Sequence, residues 1–227
     1  MFAVIKRSYL IVAVLLVLVA VALPVVTVWA IKSEKSKPVI AIDAGHGGYD
    51  GGVRGVTSGV READVNLALA QLLKGYFESD GYTVVLTREK DTALTTATRK
   101  QEDMAARVKI VEDCSPQFLI SLHVNYYPSA SRRGIQVFFT KDIDRKLAET
   151  LQGSLNESLN QPTIGRNFSA LAADYYLLGH VTCPAALIEC GFFSNAQDEA
   201  LLLDENYRMR LAFEIFRSCK QNYLLSA

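Results

Sequence analysis

The chain has 227 residues, 24 basic and 24 acidic side chains, and 50% hydrophobic residues. That length suits one ordinary domain with or without an appendage, and the balanced charge argues against nucleic acid as a partner. The apolar residues are unevenly spread, because Ser8 to Ile31 (SYLIVAVLLVLVAVALPVVTVWAI) carries no charge while every acidic side chain lies after it, a pattern that excludes disorder, a coiled coil and a multi-span membrane protein.

As a helix, the uncharged run would reach about 36 Å, enough to cross a hydrocarbon core of about 30 Å. Residues 1–31 are therefore expected to form an N-terminal transmembrane anchor. Val28, Trp29 and Ala30 also offer a small-residue cleavage pattern, which leaves a signal peptide open. Lys6 and Arg7 precede the run and Lys32, Lys35 and Lys37 follow it, so charge does not set the orientation. Residues 32–37 (KSEKSK) read as a linker and 38–227 as the folded domain.

Within that domain, Pro38 to Ala44 (PVIAIDA) is a short apolar run stopped by GHGG, the pattern of a buried strand. From Asp64 the residues Val65, Leu69, Leu72, Leu73 and Tyr76 recur at helical spacing, ending near Gly81. Tyr82 to Thr87 predicts a second strand, Thr98 to Asp113 a charged amphipathic helix, Gln117 to Val124 a third strand and Gly134 to Thr140 a fourth. Ile143 to Asn160 suits a helix, Tyr175 to Leu178 a short strand and Pro184 to Cys190 another buried strand. Two helices close the chain, with Asn195 as the cap of the first. The alternation predicts a single α/β domain: a largely parallel, twisted sheet with helices on both faces, whose site gathers at the carboxyl ends of the strands.

His46 stands two residues past the first strand run and His123 at the end of the third, so this topology would bring two imidazoles to one sheet edge. Two histidines and a carboxylate make the arrangement of hydrolytic zinc sites, and Glu62, at the loop-to-helix junction, is the carboxylate of choice. The glycine-rich stretch from Gly45 to Gly59 lacks both the GxGxxG spacing and the lysine of a phosphate cradle. Glu189 ends an apolar strand run, where a lone carboxylate is unfavourable by several kcal/mol unless paired or protonated. Two readings follow. It is either the partner of a buried arginine such as Arg88 or Arg107, or a general base. His180 has no partner by spacing. Cys114, Cys183, Cys190 and Cys219 are too sparse for a disulfide scaffold.

IAIDAGHGG at Ile40, GVREADVNLALA with its Glu62, LTREKD at Leu86, ISLHVN at Ile120 and PAALIECGFFSN at Pro184 resemble, in the same order, the motifs of zinc-dependent N-acetylmuramoyl-L-alanine amidases of the Amidase_3 type. The resemblance covers nearly all of 38–223 and is closest to the germination-specific, CwlD-like amidases of endospore formers. It implies zinc bound by His46, Glu62 and His123, and Glu189 as the catalytic residue. It further implies hydrolysis of the amide between the lactyl group of N-acetylmuramic acid and L-alanine in peptidoglycan, in spore cortex maturation, by a membrane-anchored domain outside the cytoplasm. An accessory lipoprotein is an expected partner. Ala44, Val124 and Tyr126 depart from the residues usual at their places in these motifs. Asn125 and Arg88 are open to either a substrate-orienting or a structural role. Two other functions fit the same residues: a catalytically silent wall-binding or regulatory module, and a zinc peptidase cutting within the stem peptide.

Overall fold

The computed structural model describes residues 15–20, 37–95 and 99–224 and divides the chain at Lys37. In the N-terminal unit residues 15–20 are helical and exposed; the rest of the expected anchor lies outside the described residues. No helix among the described residues is long and apolar enough to cross a membrane.

The described residues of the second unit form six strands: β1 (Val39–Ala44), β2 (Thr83–Leu86), β3 (Leu119–Asn125), β4 (Gln136–Phe139), β5 (Leu171–Ala172) and β6 (Ala185–Phe192). They form one sheet in the order β2-β1-β3-β6-β4-β5. The first four of that order run parallel, and β4 joins β6 antiparallel, so the sheet is largely parallel with a reversed edge. Among the described residues seven α-helices accompany it: α1 (Glu62–Ser79), α2 (Lys100–Cys114), α3 (Arg145–Leu155), α4 (Gln161–Ile164), α5 (Tyr176–His180), α6 (Ala196–Leu203) and α7 (Glu205–Ser218).

Alternation along the strands sorts the core into two halves. Ile40, Ile42 and Ala44 of β1, Ile120, Leu122 and Val124 of β3 and Ala186, Ile188 and Cys190 of β6 pack with Leu69, Leu73 and Phe77 of α1, Leu147 and Leu151 of α3, and Ile215 of α7. The intervening residues Ala41, Leu119, Ala185 and Leu187 face the other way, toward Val111 of α2 and Leu177 and Leu178 of α5. Helices thus cover both faces. Burying a leucine or isoleucine contributes about 1.5 to 3 kcal/mol each, so the two apolar rows fix which way every strand side chain points.

Two expectations change. Tyr175–Leu178 is not a strand: Tyr176–His180 is the short helix α5, and the nearby strand is Leu171–Ala172. Four apolar residues cannot separate a strand from a helical turn by period; here both Leu177 and Leu178 are buried in the second core half. The helix expected over Ile143–Asn160 opens with a 3₁₀ turn at Asp142–Asp144 and widens into a π turn at Asn156–Asn160 before α4. Asn195 caps α6 as expected, its side chain accepting from the Gln197 and Asp198 amides at 3.0 Å each. All four cysteines are free thiols.

Candidate metal centre

The face that turns toward α2 becomes polar at the carboxyl ends of the strands. Register places Asp43, Ser121 and Leu187 in one row and His123 beside Glu189 in the next. On the β1 side of His123 the Gly45 amide continues the ladder, bonding the Leu122 carbonyl at 3.1 Å. A Cβ at Gly45 would stand 2.3 Å from His123 Cε1, so the ring occupies space that only glycine leaves free. His46 follows with φ 62°, a left-handed conformation that costs a non-glycine residue of order 1 to 3 kcal/mol.

Glu62 arrives from the opposite face as the first residue of α1. Its Oε2 accepts from the Val53 amide at 3.0 Å, and its Oε1 from the Val124 amide at 3.0 Å. Gly52, at φ +65°, leaves room for that carboxylate, since a Cβ there would lie 2.5 Å from Oε2. Oε1 stands 3.2 Å from His46 Nε2 and 2.9 Å from His123 Nδ1. One ligand atom from each of His46, Glu62 and His123 falls within 4.8 Å of the others. The imidazoles stand edge to face, their centroids 5.0 Å apart. Two nitrogens and one carboxylate oxygen fit a divalent cation such as zinc, with a position left for water or substrate.

Charges around the group are strongly displaced. Burial alone would raise the Glu62 carboxyl, but the two histidines outweigh it and hold the group well below the usual carboxylate range. Burial disfavours the charged His46 ring, whereas Glu62 and Asp50 draw it upward, with a net rise. Asp50 Oδ2 lies 2.8 Å from His46 Nδ1, which fixes the tautomer and turns Nε2 toward Glu62. Glu189 behaves oppositely: burial, with the Glu62 charge adding and His123 opposing, pushes its carboxyl up to about 7. It is 9% exposed, and among the described residues its Oε2 has no hydrogen-bond partner.

The proposed arginine partners of Glu189 are elsewhere. Arg107 bonds Asp43 and Asp103, and Arg88 bonds main-chain carbonyls. Beside the histidines opens a cavity of about 320 Å³ lined by Asp50, Lys100, Tyr175 and Leu187 among others. His180 is exposed and turns Nδ1 to the Tyr176 carbonyl. Asn125 accepts from the next amide, Tyr126, at 2.7 Å, a local turn contact.

A family model described as N-acetylmuramoyl-L-alanine amidase matches residues 40–221. The chain belongs to the N-acetylmuramoyl-L-alanine amidase family. A curated relative, the germination-specific N-acetylmuramoyl-L-alanine amidase of Bacillus subtilis (strain 168), is 35% identical over 190 residues, covering 80% of this chain and 78% of its own. The solved CwlD amidase from Clostridioides difficile, in complex with the GerS lipoprotein, superposes with a TM-score of 0.75 at 31% identity, over 84% of this chain and all of that one. The catalytic domain of CwlV, an amidase from Bacillus (Paenibacillus) polymyxa var. colistinus, gives 0.71 at 28% identity, over 81% and 97%.

Two residues that matter to this amidase-family site escaped the sequence reading. Asp50 carried a usable signal, a carboxylate four residues after a histidine in a glycine-rich loop. Gly45 became visible only through the register that sets it across from His123.

Proposed function

We propose that the chain is a zinc-dependent amidase that hydrolyses the bond between the lactyl group of N-acetylmuramic acid and the L-alanine of the stem peptide. The single observation carrying this reading is the row at the sheet edge, where a buried Glu189, its Oε2 without a hydrogen-bond partner among the described residues, stands beside His123 of a two-histidine, one-carboxylate group. Family membership supports the bond that is cut.

His46, Glu62 and His123 would hold the cation. Bound zinc supplies Lewis-acid polarisation of the amide carbonyl and lowers the pKa of water. Asp50 keeps His46 in the tautomer that presents Nε2. Glu189, with a proton affinity near neutrality, is suited to take a proton from the attacking water and to return it to the departing alanine nitrogen. The products are a lactyl carboxylate on the glycan and a stem peptide with a free amino terminus. The cavity beside His46 gives the peptide or the glycan a place to lie.

Peptidoglycan lies outside the cytoplasmic membrane, so this reading places the domain from Pro38 onward on the outer side, with the apolar segment before it as its anchor. The similarity to the germination-specific relative favours spore cortex as the substrate. The neighbour's complex with a lipoprotein supports an accessory lipoprotein as a partner. The test is mass spectrometry of fragments released from purified cortex and vegetative peptidoglycan. An amidase releases peptides that begin with intact L-alanine. Fragments cut within the stem would mark a peptidase, and no release with either substrate, accessory lipoprotein added, would mark a silent module.

A further inference from the structure

The loop that carries His46 is held from below by two buried arginines. Arg88 leaves the end of β2 and spreads its guanidinium beneath the loop, with Nε donating to the Ala44 carbonyl at 2.8 Å. One terminal nitrogen donates to Gly45 at 3.1 Å and to Ala63 at 2.7 Å; the other donates to Lys90 at 3.2 Å. Ala63 follows Glu62 in the first turn of α1, so one planar group ties the strand end before His46 to the helix start that carries Glu62. Arg107 comes from α2 on the other side. It donates to the Ala44 carbonyl at 2.9 Å and to the carbonyl of His46 itself at 2.7 Å, while Asp43 and Asp103 pair its charge at 2.7 and 2.8 Å.

Three consecutive carbonyls, Ala44, Gly45 and His46, therefore all accept from guanidinium nitrogens. Such convergence has a cost. Arg88 is 3% exposed, and among the described residues its acceptors are carbonyls, with no carboxylate in bonding contact. A buried cation without a counter-ion is unfavourable unless its hydrogen bonds are met, and a fork of fixed geometry meets them best when the backbone around it is fixed in turn. The segment it fixes is the one that needs external support, because His46 is held at φ 62°.

We infer that Arg88 and Arg107 are positioning residues of the metal centre: their forks set the spacing of the His46 and Glu62 backbones and thereby the geometry offered to the cation. The inference rests on the metal-site reading given above. It predicts that charge alone is not enough. A lysine ammonium keeps the positive charge but, as a point donor, cannot hold Ala44, Gly45 and Ala63 in one plane.

The experiment compares the full chain and its Arg88→Lys variant in detergent. Zinc affinity is measured by competition with a chelator, the visible absorption spectrum is taken after cobalt substitution, and folding is followed by circular dichroism. The expected result is a folded Arg88→Lys protein whose zinc affinity is about 10- to 100-fold lower, with an altered cobalt spectrum. A folded variant with zinc affinity within twofold of the parent and an unchanged cobalt spectrum would overturn the inference, since a purely structural arginine would lower the melting temperature and leave the site intact. Should Arg88→Lys not fold, Arg107→Lys, which frees the His46 carbonyl, carries the same comparison. Failure of both to fold would assign the arginines to the fold itself and also overturn it. A parent chain that takes up no zinc refutes the metal reading and the inference with it, whereas a parent that binds zinc without amidase activity refutes the substrate reading alone.

Discussion

Replacing Glu189 by glutamine removes a charge and leaves the shape, so its effect on stability can be worked out from the site. The carboxyl has an ordinary value of 4.5 and is pushed to about 7 by burial, with Glu62 adding to the rise. A group whose folded-state value is raised in this way favours the fold while protonated and opposes it once ionised. The wild-type chain without metal should therefore lose stability between about pH 4.5 and pH 7 and stay at that lower level above it. The displacement corresponds to about 3 kcal/mol, at roughly 1.4 kcal/mol per tenfold change in proton affinity. The Glu189→Gln variant cannot ionise there. Urea unfolding of the chelator-treated domain from Pro38 onward, at pH 4.5 and pH 8, should find the two proteins nearly equal in acid and the variant more stable by up to about 3 kcal/mol in base. The same variant should keep its zinc when reconstituted and lose roughly 100- to 10,000-fold in turnover, the usual contribution of a positioned acid-base group. Either of two results would refute the reasoning: a stability gap that does not vary with pH, which would mean that the Glu189 carboxyl is not displaced, or a variant less stable at pH 8, which would mean that Glu189 has a cationic partner in the fold.

Four further outcomes are expected, three from the same geometry and one from the uncharged N-terminal run. His46→Ala and His123→Ala should each lower zinc occupancy as well as activity, measured by metal analysis, because each would remove one of the three proposed protein ligands. Asp50→Asn should bind zinc about tenfold more weakly, and NMR titration of the metal-free protein should show His46 losing its proton at lower pH, since the Asp50 carboxylate helps hold that value up. Gly45→Ala puts a methyl where the His123 ring lies, so zinc affinity by chelator competition should fall by about tenfold or more. The native protein should fractionate with membranes and retain its amino terminus; intact-mass analysis finding a mature soluble form that begins at Ile31 would instead make residues 1–30 a signal peptide.

Much of the fold could be read along the chain because its signals are local. The runs at 39–44, 119–125 and 185–192 are apolar and bounded by turn residues, and helix α1 repeats Val65, Leu69, Leu73 and Phe77 at intervals of four. Where the signal was short, the reading failed. Leu177 and Leu178 in α5 are adjacent and both buried, a pattern that four residues share with a strand. The π turn at Asn156–Asn160 has no period of its own; its Asn160 side chain meets the Ile135 amide and carbonyl, a contact between positions 25 residues apart.

The site divides along the same line. His46 and His123 can be matched because one stands two residues past an apolar strand run and the other near the end of one, and Glu62 because it opens a helix, so three local boundaries are enough to nominate the group. What surrounds them depends on register. Gly45, His123 and Glu189 are separated by 78 and 66 positions in the chain and become neighbours only when β1, β3 and β6 lie side by side. The buried arginines show why the distinction matters. From sequence, Arg88 and Arg107 are reasonable counter-ions for a buried Glu189, since either pair would satisfy charge. In the fold, Asp43 takes Arg107, and burial by itself would raise that carboxyl, yet Arg107, His123 and the Ser121 and Thr87 hydroxyls together hold it at about 2. With Arg107 so occupied and Arg88 bonded to carbonyls, neither arginine reaches Glu189, one row further along the same face of the sheet. Burial therefore raises its proton affinity without a guanidinium beside it to offset the cost.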